Sequence, residues 1–323
     1  MSRITNSMLS MNYLSSMNTN LSNMQTLQKQ LSSGKQITRP SDNPYTASRA
    51  IGLYSEIDAN KQYNENIKDI TNWLDTTDTA LGQAGDLFNR VRELEVAAGN
   101  GAYKNNERTA IQDEIKQKVT QLSQILNTNF DGSFIFGGTK STSKPVVLDA
   151  SGSIAYADKD GNAIADITVG AGKIAYDQIK SDLNVEVSQG VLINYNKTAT
   201  DVLQYKDKTG TTKNVMDVLN KIIGNLEPDA YDATVAGDCI EETDNIITNL
   251  LKNRAEVGAM SNRMESSQDK NEEENFNMTD ILSKTEDIDF TEKTMQYSVM
   301  QTVYMAALQT GAKVLPKTIL DYL

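Results

Sequence analysis

The chain contains no histidine. That removes Ser-His-Asp and Cys-His nucleophilic sites, histidine-ligated zinc and the H-E-x-x-H protease motif together. Its single cysteine, Cys239, cannot close an internal disulfide or build a Cys-rich metal site. Aromatic residues make up 6%, and no carboxylate pair sits in an aromatic-rich setting of the kind glycosidases use. No apolar run approaches the roughly 20 residues that span a bilayer. The opening MSRITNSMLSMNYL has one positive charge and no sustained apolar stretch, so no cleavable signal peptide is expected. Basic residues are in deficit: 31 Lys and Arg against 43 Asp and Glu give a net charge of −12. Such a chain does not bind nucleic acid by default and is repelled by anionic membranes. The expectation is a protein that is not an enzyme, with no cofactor, no metal, no nucleic acid and no membrane insertion.

At 323 residues, two domains are a reasonable count. Composition shifts twice. Residues 1–138 are helix-like, residues 139–212 are rich in Gly, Asp, Val, Ile and Thr, and residues 214–323 are helix-like again. Near the start, Leu14, Met17, Leu21, Met24 and Leu31 step by three and four with Gln28 in the gap, which is a coiled-coil seam. From Met1 to Gln28 the only charged residue is Arg3. A solitary surface helix carries Glu–Lys pairs on its outer face, so an uncharged one points to protein on more than one side. The other end mirrors this. Met305, Leu308, Ala312, Leu315, Ile319 and Tyr322 repeat the spacing, and Lys313, Lys317 and Asp321 are the only charges after Met295.

Between the ends, Ser32–Pro44 breaks the first helix: Gly34 suits a cap, and Pro40 and Pro44 forbid continuation. A long helix follows over Tyr45–Ala98, with Ile67, Ile70, Leu74, Thr77, Leu81, Ala84, Phe88 and Val91 as its seam. A third helix carries Ile111, Ile115, Val119, Leu122 and Leu126. Asp131-Gly132 marks a hairpin turn before a strand over Ser133–Phe136. Strands are expected at Val146–Leu148, Ile154–Ala157, Ala163–Val169, Lys173–Ile179, Leu183–Ser188 and Val191–Tyr195, closed by a helix over Asn214–Leu226. Helix resumes near Gly237 with Ile240, Ile247, Leu250, Val257 and Met264 as its stripe, and breaks within Ser283–Asp289. The fold class is therefore mainly α with a β insertion. A discontinuous long-helix coiled coil or bundle is formed by both chain ends, with a small antiparallel β-rich domain between.

Candidate chemical motifs resolve to turns and solvated faces. Asp158, Asp160 and Asn162 suggest a calcium loop, but Gly161 falls at the wrong position and the closing Glu is missing. Gly170-Ala171-Gly172 lacks the Lys and Ser/Thr of a phosphate loop and reads as a turn. Glu272–Glu274 reads as a charged helix face.

Several segments in order carry a resemblance to a known family: MSRITNSML, LSSGK with ITRPSDNP, FIFGGTKSTSKP, NRAEVGAMSNRME, SKTEDIDFTEK and the terminal AALQTGAKVLPKTILDYL. They resemble the flagellin superfamily, in its hook–filament junction branch. SDNPYTASRAI and the -LDYL ending separate that style from filament flagellin, the main alternative; a secreted coiled-coil effector is a more distant one. Asn43 stands where Asp is common, and Pro316 interrupts the last helix.

The resemblance implies a structural adaptor of the bacterial flagellum, joining hook to filament by polymerising through its terminal helices. It implies a terminal coiled-coil assembly region at 1–44 and 284–323, a helical middle domain at 45–138 and 238–283, and a β-rich outer domain with a closing helix at 139–237. The assembly interface would comprise Leu14, Met17, Leu21, Met24, Leu31, Met305, Leu308, Leu315 and Ile319. Arg39, Pro40, Ser41, Asp42 and Pro44 would set the bend between layers. The partners implied are neighbouring copies, the first hook-associated junction protein on the hook side, flagellin on the filament side, and an export chaperone at the C-terminal helices. The implied location is extracellular, on the flagellum, reached by type III export.

Overall fold

The computed structural model describes residues 6–100, 104–227 and 230–314. It divides into two compact units, one of residues 1–59 with 273–323 and one of residues 60–272. The helices are α1 (Asn6–Ser33), α2 (Pro44–Ala98), α3 (Asn105–Leu126), α4 (Gly170–Lys180), α5 (Ala199–Leu203), α6 (Val215–Asn225), α7 (Ala233–Glu286) and α8 (Phe290–Val314). The strands pair as four antiparallel hairpins: β1 (Asn129–Phe130) with β2 (Ser133–Phe134), β3 (Val146–Leu148) with β4 (Ile154–Tyr156), β5 (Asn184–Ser188) with β6 (Val191–Asn194), and β7 (Gln204–Lys206) with β8 (Thr212–Asn214).

In the unit of residues 60–272 one core runs from the long helices into the hairpins. All eight expected seam residues of α2, from Ile67 to Val91, are buried, as are the five of α3. Thr77 tolerates its core position because its hydroxyl donates to the Trp73 carbonyl at 2.8 Å. Trp73 lies edge-on to Phe130 at 6.1 Å and to Tyr195 at 5.9 Å. On α7 the buried stripe is Cys239, Thr243, Ile246, Leu250, Asn253, Val257 and Met264. This corrects the expected stripe: Ile240 and Ile247 lie on its flank, half-buried. The seam uses polar residues that an apolar count passes over. Asn253 donates to the Asp201 carbonyl at 2.9 Å, so its burial leaves that amide nitrogen satisfied. Arg254 grips Asp78 through two bonds of 2.9 and 3.0 Å, and Arg92 pairs with Asp244 at 2.5 Å, tying α7 to α2.

A single turn recipe recurs three times in D-x-[S/T/D]-G-[S/T/N] form, at Asp149–Ser153, Asp158–Asn162 and Asp207–Thr211. In each, the Asp carboxylate accepts the backbone N–H groups two and four residues on, at 2.8–3.0 Å. The glycines sit at φ +79°, +83° and +83°, where a side chain is disfavoured. All three carboxyls are held below the usual aspartate value, Asp149 and Asp207 mainly by the Ser151 and Thr209 hydroxyls with the N–H bonds adding, and Asp158 mainly by the Asn162 N–H. Asp131 and Gly132 both have positive φ, as the short β1–β2 turn requires.

Two expected strands are corrected. Lys173–Ile179 lies within helix α4, whose Ala175 and Ile179 are buried at helical spacing. Its short apolar run fits either period, and burial of one helical face decided between them. The segment Gly170–Gly172, expected as a turn, opens that helix. Ala163–Val169 makes only a single bridge, Ala163 to Ala157, because the Asp166 side chain captures the Thr168 N–H and hydroxyl in a turn. Helix α5 and the β7–β8 hairpin lay outside the expected elements. The Asp207-Lys-Thr-Gly-Thr turn was their legible signal.

Candidate assembly surface

In the unit of residues 1–59 and 273–323, α1 packs along α8. The more covered stripe of α1 is Tyr13, Met17, Asn20, Met24, Leu27 and Leu31, stepping by four and three. That of α8 is Tyr297, Met300, Tyr304, Ala307 and Gly311. The seam is thus rotated by one residue at alternate positions relative to the expected one. Met17, Met24 and Leu31 belong to it, whereas Tyr13, Asn20 and Leu27 replace Leu14, Leu21 and Gln28. The ring of Tyr13 explains the rotation. Its hydroxyl donates to the Ala307 carbonyl, and its ring lies against Gly311, where any Cβ would overlap it. A tyrosine across a glycine brings the helices close while satisfying the phenol.

Rotation leaves large apolar side chains outside the pair. Leu14 is 53% exposed, Leu21 39%, Met305 52% and Leu308 48%. Met8, Met11, Met295, Val299 and Val303 are exposed as well. The sequence reading did not single these five out, although Thr294–Ala312 contains no charged residue at all. Leu315 and Ile319, and Pro316 with them, lie outside the described residues.

The break after α1 is a compact hydrogen-bonded turn. Gly34, at φ +72°, caps α1 by donating to the Gln30 carbonyl at 2.9 Å. Lys35 then pairs with Asp287 in an antiparallel bridge, with Gln36 N–H to the Glu286 carbonyl at 2.5 Å and Ile288 N–H to the Gly34 carbonyl at 3.1 Å. Lys35 also meets Glu286 at 2.7 Å and donates to the Tyr54 hydroxyl at 2.6 Å, and Tyr54 donates to Glu286. Hydrogen bonds to Glu286 and Tyr54 raise the Lys35 ammonium above the ordinary lysine value. The Asp42 carboxylate accepts from the Arg39 N–H at 3.0 Å and from the Thr38 N–H and hydroxyl at 3.3 Å, which lowers its pKa. Asn43 caps α2 through the Thr46 N–H at 3.2 Å, and Pro44 takes the first helical position, where no donor is needed. Arg39 enters this network through its backbone, and Pro40 and Ser41 are exposed. At the other side of the break, Asp289 accepts from Thr291 and Glu292 N–H at 2.8 and 3.1 Å and starts α8.

Two stretches match family models: residues 4–141 the bacterial flagellin N-terminal helical region, and residues 240–323 the bacterial flagellin C-terminal helical region. The chain belongs to the flagellin family. It is a structural component of the bacterial flagellum. Flagellar hook-associated protein 3 of Escherichia coli strain K12 is 23% identical to it over 288 residues, 86% of each chain. Flagellin of Bacillus subtilis strain 168 is 24% identical over 328 residues, 99% of each chain. The fold is shared with the crystal structure of flagellar hook-associated protein-3 from Legionella pneumophila, at TM-score 0.59 and 14% identity, covering 72% of this chain and 97% of that one.

The two flagellin-matching stretches carry α1, α2, α3, most of α7 and α8. The intervening residues carry the β3–β8 hairpins with α4, α5 and α6. No helix among the described residues is long and apolar enough to cross a membrane. They hold no cluster of three His, Cys, Asp or Glu side chains suited to a metal ion. Asp158, first residue of the calcium-like stretch, spends its carboxylate on turn N–H groups.

Proposed function

We propose that this flagellin-family subunit joins hook to filament and polymerises through α1 and α8. The observation that carries this reading is the exposed apolar flank of the α1–α8 pair in segments almost free of charge. Burying the exposed half of each such Leu or Met against a neighbour would contribute about 1 kcal/mol. Apolar surface of this extent marks an interaction site rather than a solvated one. Leu14, Leu21, Met305 and Leu308 contact neighbouring copies, with Leu315 and Ile319 continuing the surface. Met17, Met24 and Leu31 hold the pair together. Arg39, Pro40, Ser41, Asp42 and Pro44 set the bend that separates the terminal assembly region (1–44, 284–323) from the helical middle (45–138, 238–283). Residues 139–237 form the outer part.

The junction role, rather than the filament role, is supported by hook-associated proteins 3 of E. coli and Salmonella typhimurium, which match over 86% and 88% of this chain. The SDNPYTASRAI segment and the -LDYL ending point the same way. On this reading the neighbours are copies of the chain, the first hook-associated junction protein towards the hook and flagellin towards the filament. A chaperone holds the C-terminal helices before export, which needs no cleavable signal, and the mature subunit is extracellular. A second reading, filament flagellin, is favoured by the end-to-end match to the B. subtilis protein.

Gold-labelled antibody against the chain separates the two on intact flagella. Label confined to the hook–filament joint, with hooks but no filaments in a deletion strain, is the expected result. Label along the whole filament would make the chain a flagellin.

A further inference from the structure

Glu95 occupies a seam position near the end of α2 and is only 4% exposed. Neither carboxylate oxygen has a hydrogen bond of normal geometry among the described residues. The pocket around it is lined by Ala98 of α2, Ile222, Asn225 and Leu226 at the end of α6, and Ala236 and Cys239 of α7, and the Asn225 amide is already bonded to the Asp232 backbone at 2.8 and 3.1 Å. Thr243 of α7, fully buried, turns its hydroxyl towards the carboxylate, and Tyr231 also approaches, with a buried hydroxyl that has no partner among the described residues. Tyr231 is held in place by the Arg108 guanidinium of α3, 3.7 Å over its ring.

Among the described residues, the basic groups around the pocket have other partners, Arg108 the Tyr231 ring and the Ala98 carbonyl. Arg92, one turn earlier on α2, is paired with Asp244 of α7 at 2.5 Å. Lys221 of α6 lies 3.6 Å from Glu242 and 4.0 Å from Asp238. Glu242 and Asp244 face Glu95 with like charge. The protonated acid fits this apolar pocket, because it needs no counter-charge and can donate a hydrogen bond. The carboxylate leaves a charge uncompensated in the seam, and that destabilises whichever contacts enclose it.

We propose that Glu95 is a proton-operated clasp that holds the start of α7 and the end of α6 against α2 when protonated, and loosens them when ionised. Burial, the largest cause, pushes the carboxyl up from 4.5 to about 7, with the facing Asp244 and Glu242 adding to it and Thr243 and Arg92 opposing. Since the folded value is the higher one, the stability this group contributes is full below 4.5. It is lost as pH rises through about 7. The direction is opposite to that of Asp42, Asp149, Asp158 and Asp207, whose lowered values give stability that is lost as pH falls through them.

The test compares the full chain with Glu95→Gln and Glu95→Leu. Urea unfolding followed by Trp73 fluorescence at pH 5 to 9 reads the helical unit, and amide exchange of Val235–Thr243 reads the clasp. The wild-type unfolding constant should rise on the order of 100-fold between pH 5 and 9 relative to either variant. The protection factors at the start of α7, corrected for the intrinsic rise of exchange with pH, should fall over the same range in the wild type alone. The Leu variant keeps the comparison usable if the buried amide of the Gln variant impairs folding. Parallel pH profiles in wild type and both variants would overturn the proposal. So would a carbon-13 titration placing the Glu95 carboxyl at the ordinary value of 4.5.

Discussion

Individual residues in this chain act mainly through the backbone they permit. Gly137 and Gly138, inside the family-like FIFGGTKSTSKP segment, show why that segment reads as it does. Gly138 sits at φ +58°, and a Cβ there would come within 2.5 Å of the carbonyl oxygens of Gln178 and Ile179 at the end of α4. Both obstacles are backbone, so neither can turn aside. Gly138→Ala should destabilise the helical unit by about 1–3 kcal/mol, read as a lower urea midpoint with an unchanged slope. An unchanged midpoint would show that the loop relocates without cost. Gly311 has a different reason for its lack of a side chain, the ring of Tyr13 across the α1–α8 seam. The glycines of the three Asp turns have a third, a left-handed backbone with open space around it. Sequence patterning registers all of these as turn or helix glycines and cannot tell the three apart, because their reasons lie in residues distant along the chain.

At the level of elements, the long helices follow heptad spacing that tolerates polar residues wherever a partner is supplied. That is why α2 was legible and α7 only in part. In α2 every expected seam position from Ile67 to Val91 but Thr77 is apolar, whereas α7 buries Thr243 and Asn253 and turns Ile240 and Ile247 to its flank. The same logic separates two kinds of leucine. Leu81 is fully buried in α2, and Leu81→Ala should cost about 2–5 kcal/mol in urea unfolding. Leu21 and Leu308 are exposed on the α1–α8 pair, so Leu21→Asp or Leu308→Asp should leave that unfolding transition unmoved and abolish polymerisation in sedimentation and electron microscopy. A normal polymer from either Asp variant would remove those flanks from the assembly surface.

At the level of the whole molecule, residues 60–272 contain one continuous core built from α2, α3, α6, α7 and the hairpins. In the other unit the buried apolar cluster is small, centred on Ala50, Ile57 and Leu282. A chain of residues 60–272 should therefore unfold cooperatively with helical circular dichroism, and stay monomeric under conditions where the full chain polymerises. A fragment lacking a cooperative transition would mean that this core depends on residues outside it. On the proposed function, the apolar surface left uncovered in the smaller unit is completed by other subunits.

Patterning and composition by themselves excluded histidine-dependent sites and an internal disulfide, and set the division into helical ends around a β-containing middle. They also placed the seams of α2 and α3, where a period of three and four suffices because each expected seam position is apolar or, at Thr77, bonds its own helix. Only the tertiary structure decided between periods that a short sequence supports equally, as for Lys173–Ile179, which Ala175 and Ile179 resolve into a helix by burial. It alone set the rotation of the α1 seam, since that depends on Tyr13 meeting Gly311 across almost 300 residues of chain. It alone placed Glu95 in a core, because charge is counted from sequence but desolvation exists only where other elements close over it.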